Sequence, residues 1–376
     1  MSNIYLKSGK EESLKRFHPW VFSGAISRID GNVQEGDLVE VFTSQHAFIA
    51  RGHYQVGSIM VRILTFDEHE AIDEHFWQHR LEEAYLKRTA IGIAQRADNN
   101  TYRLVHGEGD NLPGLVIDIY GRTAVMQAHS AGMHFQRMEI AQALMKVMDG
   151  KIDHIYYKSE TTLPYKAELG QENGFLIGGS KENIATEYGL KFHIDWRRGQ
   201  KTGFFVDQRE NRLLLEHYAA GRSVLNMFCY TGGFSVYALR GGAREVVSVD
   251  ASQTAIRLTG ENVALNFPSC SSHEARAEDA FRFLDKLPYP GSPQFAGNSF
   301  ELIVLDPPAF AKHRSAVRNA LKGYTRLNLA AMKKIAPGGL LFTFSCSQAV
   351  SAEQFRLAVF TAAAQSGRHV SILHQL

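Results

Sequence analysis

The sequence predicts an α/β protein: a doubly wound, mostly parallel sheet, preceded by a small β-barrel and a central α+β region. Three observations predict it. From about residue 190, short apolar runs alternate with helical segments across tight turns, the order that yields parallel strands with helices on both faces. Residues 37–64 carry several short strands punctuated by glycine, as in a barrel or sandwich. Between these two stretches, strand-like and helix-like segments mix without repeats or low-complexity tracts. At roughly 150 residues per domain, the 376-residue chain has room for two or three domains. The expected division is 1–70, 71–187 and 188–376.

Composition narrows the class. Lys and Arg number 41 against 39 Asp and Glu, a formal net charge of +2, and the 44% apolar content is enough to build cores. Three cysteines exclude a disulfide-stapled scaffold and fit a reducing compartment. No apolar run approaches the roughly 18 residues that span a bilayer, and the first residues carry no hydrophobic signal segment. A cytoplasmic protein with no membrane partner is expected.

The elements follow in order. Residues 38–42, 47–50 and 59–64 read as strands, and a helix begins near Ile72 and runs to about Ile91. Strands are expected at 102–105, 115–120, 124–128 and 152–158, with a helix over 135–148. The final region reads as helix 207–218, strand 224–228, helix 234–239, strand 245–249, helix 254–265, strand 300–305, helix 318–335, strand 340–345 and helix 352–364. Ligands of such sheets bind beyond the carboxyl ends of the strands.

At those ends lie the chemically interesting residues. FCYTGGF, residues 228–234, places glycines between strand and helix, where a ligand can approach backbone at a helix N-terminus. Asp250 ends the next strand, 18 residues after Gly232, where a carboxylate can accept ribose hydroxyls. Asp279 follows the next strand, at the place of an adenine amino group. A structural glycine turn with two N-cap aspartates is the competing reading. The turn lacks a full G-x-G-x-x-G, so a cofactor without a pyrophosphate, such as S-adenosylmethionine, fits better than a dinucleotide.

Asp306-Pro307-Pro308-Ala309-Phe310 gives a rigid extended loop that can hold a planar base by its edge. Phe310 is the candidate ring for stacking. Ser345-Cys346-Ser347 precedes the last helix, and a thiol facing a helix N-terminus is more readily thiolate. A lone cysteine is otherwise a small buried hydrophobe. Residues 307–352 hold no Asp or Glu but carry Lys312, Arg314, Arg318, Lys322, Arg326, Lys333 and Lys334, a pattern that suits phosphate as well as a solvated helix. Lys7, Lys10, Lys15 and Arg16 give the barrel a second basic cluster, of the kind that suits phosphate. His75 and His79 have the spacing of a metal pair, but no third ligand accompanies them, and no metal is expected.

GQKTGFFVDQRENR (199–212), together with the 228–234 turn, the Asp306-Pro307-Pro308 loop and Ser345-Cys346-Ser347 in this order, resembles the ribosomal RNA large subunit methyltransferase I family. HPWVF (18–22) resembles the family's N-terminal PUA domain, an RNA-binding barrel, and 107–115 resembles a turn of its middle domain. The resemblance covers essentially the whole chain; the 199–212 motif is the specific part.

The resemblance implies a class I methyltransferase fold and S-adenosylmethionine-dependent formation of 5-methylcytosine in 23S rRNA. Cys346 would be the thiolate that adds to carbon 6, and Asp306 would hold the base edge and manage the proton at N3. Gln208, Phe228, Tyr230, Gly232, Asp250 and Asp279 would bind the cofactor. Lys201, Pro308, Phe310, Lys312, Arg314 and Arg318 would contact RNA. The partners expected are 23S rRNA or a large-subunit assembly intermediate; a homodimer stays open. Many RNA cytosine-5 methyltransferases carry a second cysteine after the proline of the Asp-Pro-Pro loop, and Ala309 stands there here, so the base that removes the carbon-5 proton is unassigned. Cys229 and Cys270 are expected to serve packing at most. Two alternatives stand beside this reading: a base-nitrogen methyltransferase of guanine-N7 type, for which Cys346 would be dispensable, and a catalytically idle RNA-binding or ribosome-assembly protein. Residues 371–376 are expected to enter a penultimate strand, leaving an exposed sheet edge beside it.

Overall fold

The computed structural model describes residues 2–164, 169, 172–180, 182–295, 299–311 and 313–376. The chain divides into two compact units, Met1–Val206 and Asp207–Leu376. No helix among the described residues is long and apolar enough to cross a membrane.

The first unit opens with strands β1 (Ser2–Leu6), β2 (Trp20–Phe22), β3 (Ile26–Asp30), β4 (Leu38–Phe42), β5 (Phe48–Tyr54) and β6 (Ile59–Thr65). They form one sheet in the order β2-β6-β5-β4-β1-β3, with β1 parallel to β4 and the other pairs antiparallel. Ile4, Leu6, Val21, Val39, Val41, Ala50, Val61 and Ile63 share a single core. A sheet whose strands feed one core from alternate positions is curled around it.

Helix α1 (Glu74–Ala90) follows, started by the Asp73 side chain, which accepts from the Phe76 N–H. Strands β7 (Thr101–His106), β8 (Leu115–Tyr120) and β9 (Thr123–Ala128) form a meander. Next come α2 (Ala131–Phe135), α3 (Arg137–Val147), β10 (His154–Tyr157) and β11 (Gly174–Ile177), giving the order β11-β10-β9-β8-β7. The helix expected over 135–148 forms as α3, and the short α2 precedes it across Gln136. Phe76, Trp77 and Leu81 of α1 share a core with Ile140 and Leu144 of α3 and the inward residues of the sheet. The hairpin of β12 (Ile184–Glu187) and β13 (Leu190–His193) completes the unit.

The first compact unit extends to Val206, and the 199–206 segment is anchored within it. Tyr120 shares a 2.8 Å hydrogen bond with Thr202 Oγ1 and donates to the Phe204 carbonyl, and Thr202 donates to Asp118 at 2.6 Å. Asp118, fully buried, is also gripped by both arms of Arg103.

The second unit runs α4 (Arg209–Ala219), β14 (Ser223–Met227), α5 (Gly233–Arg240), β15 (Glu245–Asp250), α6 (Gln253–Asn266), β16 (His273–Ala277), α7 (Ala280–Lys286), β17 (Leu302–Leu305), α8 (Val317–Lys334), β18 (Leu340–Thr343) and α9 (Ala352–Ser366). The sheet is fully parallel in the order β16-β15-β14-β17-β18. Alternation along β14 sorts its side chains between two layers. Val224 packs with Leu215 of α4 and Phe234 of α5, while Leu225 and Met227 pack with Phe283 of α7 and Leu327 of α8. Strand order reverses at β14, which sets the ligand crevice at its carboxyl end.

The expected strand at 371–376 does not form: residues 368–376 are neither helix nor strand, and Ile372, Leu373 and Leu376 are exposed. His374 Nε2 and the Tyr218 hydroxyl share a 2.9 Å hydrogen bond, so the segment is tied by a side chain rather than by a ladder. β18 pairs only with β17 among the described residues. Arg368 reaches back to the carbonyls of Met332, Ile335 and Ala336, which close the end of α8.

Candidate active site

The parallel register aligns the ends of the strands. Met227 stands opposite Val249 on one side and Leu305 on the other, and Leu305 opposite Thr343. Phe228, Asp250, Asp306 and the Ser345–Ser347 turn therefore emerge together at one rim of the sheet.

The turn after β14 is held in an uncommon conformation. Phe228, Tyr230 and Gly232 have φ of 57°, 49° and 78°, left-handed backbone that non-glycine residues rarely adopt. Three side chains hold it in place. Thr259 donates to the Tyr230 carbonyl at 3.0 Å, Asn262 to the Thr231 carbonyl at 2.8 Å, and Asp250 Oδ2 accepts the Tyr230 N–H at 3.0 Å. A Cβ on Gly232 would lie 2.6 Å from Thr259 Cγ2, so only glycine fits. Arg212, 2% exposed, lies under the turn, with its Cδ 3.2 Å from where a Gly233 Cβ would be.

Asp250 Oδ1 also accepts the Ser252 N–H, at 2.9 Å. Each carboxylate oxygen has two acceptor sites, so both retain capacity for a diol. Asp279 caps α7 by accepting the Arg282 N–H at 3.0 Å, the bland role that the sequence also allowed, and stays exposed at the rim. Gln208 accepts from Asn211 at 2.6 Å at the start of α4.

Opposite this turn lies the acid–thiol pair. Asp306 follows β17 directly, and burial pushes its carboxyl up to about 7; the charge of Asp207 adds to this and that of Arg212 opposes it. Cys346 is exposed, and its thiol donates to the Pro307 carbonyl at 3.5 Å. The serines flanking it are anchored to one buried hydroxyl. Tyr324 OH pairs with Ser347 Oγ at 2.8 Å and accepts from Ser345 Oγ at 2.9 Å, and Ser347 Oγ also accepts the Ala311 N–H. The N-terminus of α9 is closed by its own Ser351–Gln354 capping box, and the bond to Pro307 is what ties the thiol to the acid loop. Cys229 is buried and its thiol pushed up to about 12 by desolvation, as suits packing; Cys270 pairs with Ser272.

Residues 4–66 match the family described as a PUA-like domain, and residues 173–375 match the S-adenosylmethionine-dependent methyltransferase family. A ribosomal RNA large subunit methyltransferase I from Aeromonas hydrophila is 40% identical over 379 residues, covering 100% of this chain and 93% of that protein. The chain belongs to the ribosomal RNA large subunit methyltransferase I family. The relative from Klebsiella pneumoniae strain 342 is 38% identical over 99% of the chain and 91% of its own length. A solved structure described as a SAM-dependent methyltransferase from Streptococcus mutans superposes with a TM-score of 0.79 at 21% identity, over 97% of this chain and 91% of that one. A second solved structure, described as a methyltransferase complexed with SAH, has a TM-score of 0.79 at 22% identity, over 96% of this chain and 90% of that one. These two show the same fold.

S-adenosylmethionine is the cofactor of the family, and the strained 228–232 turn, the glycine that Thr259 enforces and the two rim carboxylates fit it. Of the residues singled out from sequence, Phe228, Tyr230, Gly232, Asp250, Asp279, Asp306, Pro308, Phe310 and Cys346 lie at this rim, while Lys201 belongs to the first unit. Lys312 lies outside the described residues. Phe310 has one face against Tyr324, with ring centroids 4.6 Å apart, and its edge on Gly323. Arg318, Lys322 and Arg326 are exposed, and their four-residue spacing gives one basic stripe along α8, with the exposed Arg314 in the turn just before it. Lys334 departs from the basic patch: it is 5% exposed, donates to the Leu287 and Asp285 carbonyls and lies over the Tyr289 ring. On the barrel, Lys15 is paired with Glu12 and Lys7 donates to the Gly24 carbonyl.

Sequence reasoning missed Arg212, Thr259 and Tyr324. Arg212 closes the 199–212 motif and was in view without a role. Thr259 and Tyr324 carry no local signal, since each acts through a contact made only in the folded sheet.

Proposed function

We propose that the chain transfers a methyl group from S-adenosylmethionine to carbon 5 of a cytosine in 23S rRNA, either free or within a large-subunit assembly intermediate, with Cys346 as nucleophile. The observation that carries this reading is the 3.5 Å contact between an exposed thiol and the carbonyl of Pro307, next to an acid that keeps its proton to about pH 7.

Carbon 5 of cytosine is a poor nucleophile. When the Cys346 thiolate forms a bond to carbon 6, the electrons of the 5,6 double bond shift to the 4,5 position and those of the N3–carbon 4 double bond move onto N3, where Asp306 delivers a proton so that no charge is left. Carbon 5 of the resulting adduct is enamine-like. S-adenosylmethionine, when bound, supplies an electrophilic methyl group on a sulfonium. Loss of the carbon-5 proton to a base then expels the thiolate, Asp306 recovers the N3 proton, and the aromatic ring returns. Phe228, Tyr230, Gly232, Asp250, Asp279 and Gln208 hold the cofactor in this reading. Pro308, Phe310, Lys312, Arg314, Arg318 and Lys201 serve the RNA, with phosphates along the α8 stripe. The target base is unpaired or flipped out, because a stacked base cannot present carbon 6 to a thiol.

RNA carrying 5-fluorocytosine at the target position tests this. Fluorine blocks the elimination, so a methylated, covalent protein–RNA adduct accumulates on a denaturing gel. Cys346→Ala abolishes both adduct and methyl transfer. Normal transfer by Cys346→Ala would point instead to direct methylation of a base nitrogen.

A further inference from the structure

One face of the second sheet carries polar residues where a covered parallel sheet ordinarily carries apolar ones. Asn226 of β14, Ser248 of β15 and Ser235 of α5 are all fully buried. Val224 and Val246, two residues before the first two, pack with Leu215 and Phe234, and strand alternation puts Asn226 and Ser248 on that same helix-covered face. A hydrogen-bonded relay joins them. Asn226 Nδ2 donates to Ser235 Oγ at 2.8 Å, Ser235 Oγ and Ser248 Oγ lie 2.6 Å apart, and Ser248 Oγ lies 2.9 Å from Nε2 of His273 on the edge strand β16. An amide nitrogen only donates. The arrangement that uses every hydroxyl hydrogen therefore runs one way: Ser235 donates to Ser248, and Ser248 to an unprotonated Nε2. Burial pushes His273 down to about 4, with the charge of Glu274 opposing, so the imidazole is neutral and free to accept.

The relay lies one step below the rim. Asn226 precedes Phe228 by two residues and Ser235 follows Gly232 by three, so their bond closes the base of the 228–232 turn. Ser248 precedes Asp250 by two on the same strand, and His273 belongs to the strand that leads to Asp279. Thr259 and Asn262 hold the turn from α6, and the relay holds it from the sheet. Backbone as uncommon as that of Phe228 and Tyr230 persists only where the surroundings over-determine it. Stability alone does not account for the choice of residues. Asn226 Oδ1 is buried with no hydrogen-bond partner among the described residues, a cost that an apolar side chain would not carry.

We propose that Asn226, Ser235, Ser248 and His273 are positioning residues for the cofactor: their relay sets the 228–232 turn and Asp250 in the arrangement that S-adenosylmethionine binds. They act through the turn and the strand ends rather than by contact with the cofactor. The proposal rests on the reading that this turn and Asp250 hold S-adenosylmethionine. Such a relay works as a unit, because the loss of any one link leaves its neighbours unpaired in the core.

Calorimetry with S-adenosylmethionine on the full, cofactor-free protein tests this, at temperatures where melting curves show each variant folded. Ser235→Ala and Ser248→Ala should each weaken binding roughly tenfold, and the double variant should bind no more weakly than either. In methyl-transfer kinetics, KM for S-adenosylmethionine should rise while KM for RNA stays unchanged. His273→Gln, whose side-chain oxygen can accept in place of Nε2, should bind as the parent does, and His273→Leu as weakly as Ser248→Ala. His273 is only half-buried, at the sheet edge, so this pair decides the matter if a serine variant fails to fold. Parent-like binding by the serine variants or by His273→Leu, an equal loss in His273→Gln and His273→Leu, or losses that multiply in the double variant would overturn the relay. Asp250→Asn is the control. Weakened binding there beside parent-like relay variants sinks the relay alone, whereas parent-like binding by Asp250→Asn sinks the placement of the cofactor and the relay with it.

Discussion

The thiol of Cys346 donates to the carbonyl oxygen of Pro307 across 3.5 Å, joining the ends of two adjacent parallel strands, β17 and β18. The bond runs to the backbone of the acid loop and not to the carboxylate. In the proposed mechanism Asp306 then acts on the base while the same loop holds the thiol.

Asp306 should set the alkaline limb of the reaction. As a proton donor it must stay protonated, so turnover should fall as pH rises through about 7. Asp306→Asn should lower the rate by roughly 100-fold or more and remove that limb, as read from kcat against pH. Stability gives a second reading. An acid that binds its proton more tightly in the folded state stabilises the fold below its unfolded value of 3.8 and loses that contribution as pH rises to about 7. Asp306→Asn should match the parent near pH 4 and exceed it at pH 8, by up to roughly 4 kcal/mol in urea unfolding.

Tyr324→Phe tests how the thiol is aimed. The lost hydroxyl strands Ser345 and Ser347, which flank Cys346, and should cost about 1–2 kcal/mol of stability. Steady-state kinetics should show a lower kcat with KM for RNA little changed, since no phosphate contact is touched.

Gly232→Ala tests the cofactor turn. The new methyl would displace Thr259, which would release the Tyr230 carbonyl, and the residue would keep a positive φ at a cost of roughly 1–2 kcal/mol. Calorimetry should show S-adenosylmethionine affinity reduced at least about tenfold.

Much of this was legible because each strand–helix repeat of the second unit carries its own turn. Gly221, Gly241-Gly242 and Pro337-Gly338-Gly339 mark the element ends by residue chemistry alone. The rim residues follow, since in a parallel sheet whatever ends a strand reaches the same edge. What stayed hidden depends on contacts distant in sequence. Lys334 reads as one more basic residue until α8 is laid against the Leu287 carbonyl. Phe310 reads as an open ring until Tyr324 covers one face. The segment 371–376 has the apolar content of a strand, but a strand forms only against a partner ladder, and His374 is held by a tyrosine instead. The β12–β13 hairpin and α7 are short and weakly patterned, and only their neighbours define them.

The identity of the product decides between the cytosine and guanine readings. Nucleoside mass spectrometry of large-subunit RNA, from a strain lacking this protein and from the same strain with it restored, reads that directly. 5-Methylcytidine should fall by one residue per 23S rRNA in the deletion strain and return with the parent chain but not with Cys346→Ala. Unchanged 5-methylcytidine together with the loss of a methylated guanosine, restored equally by Cys346→Ala, would contradict the cytosine reading.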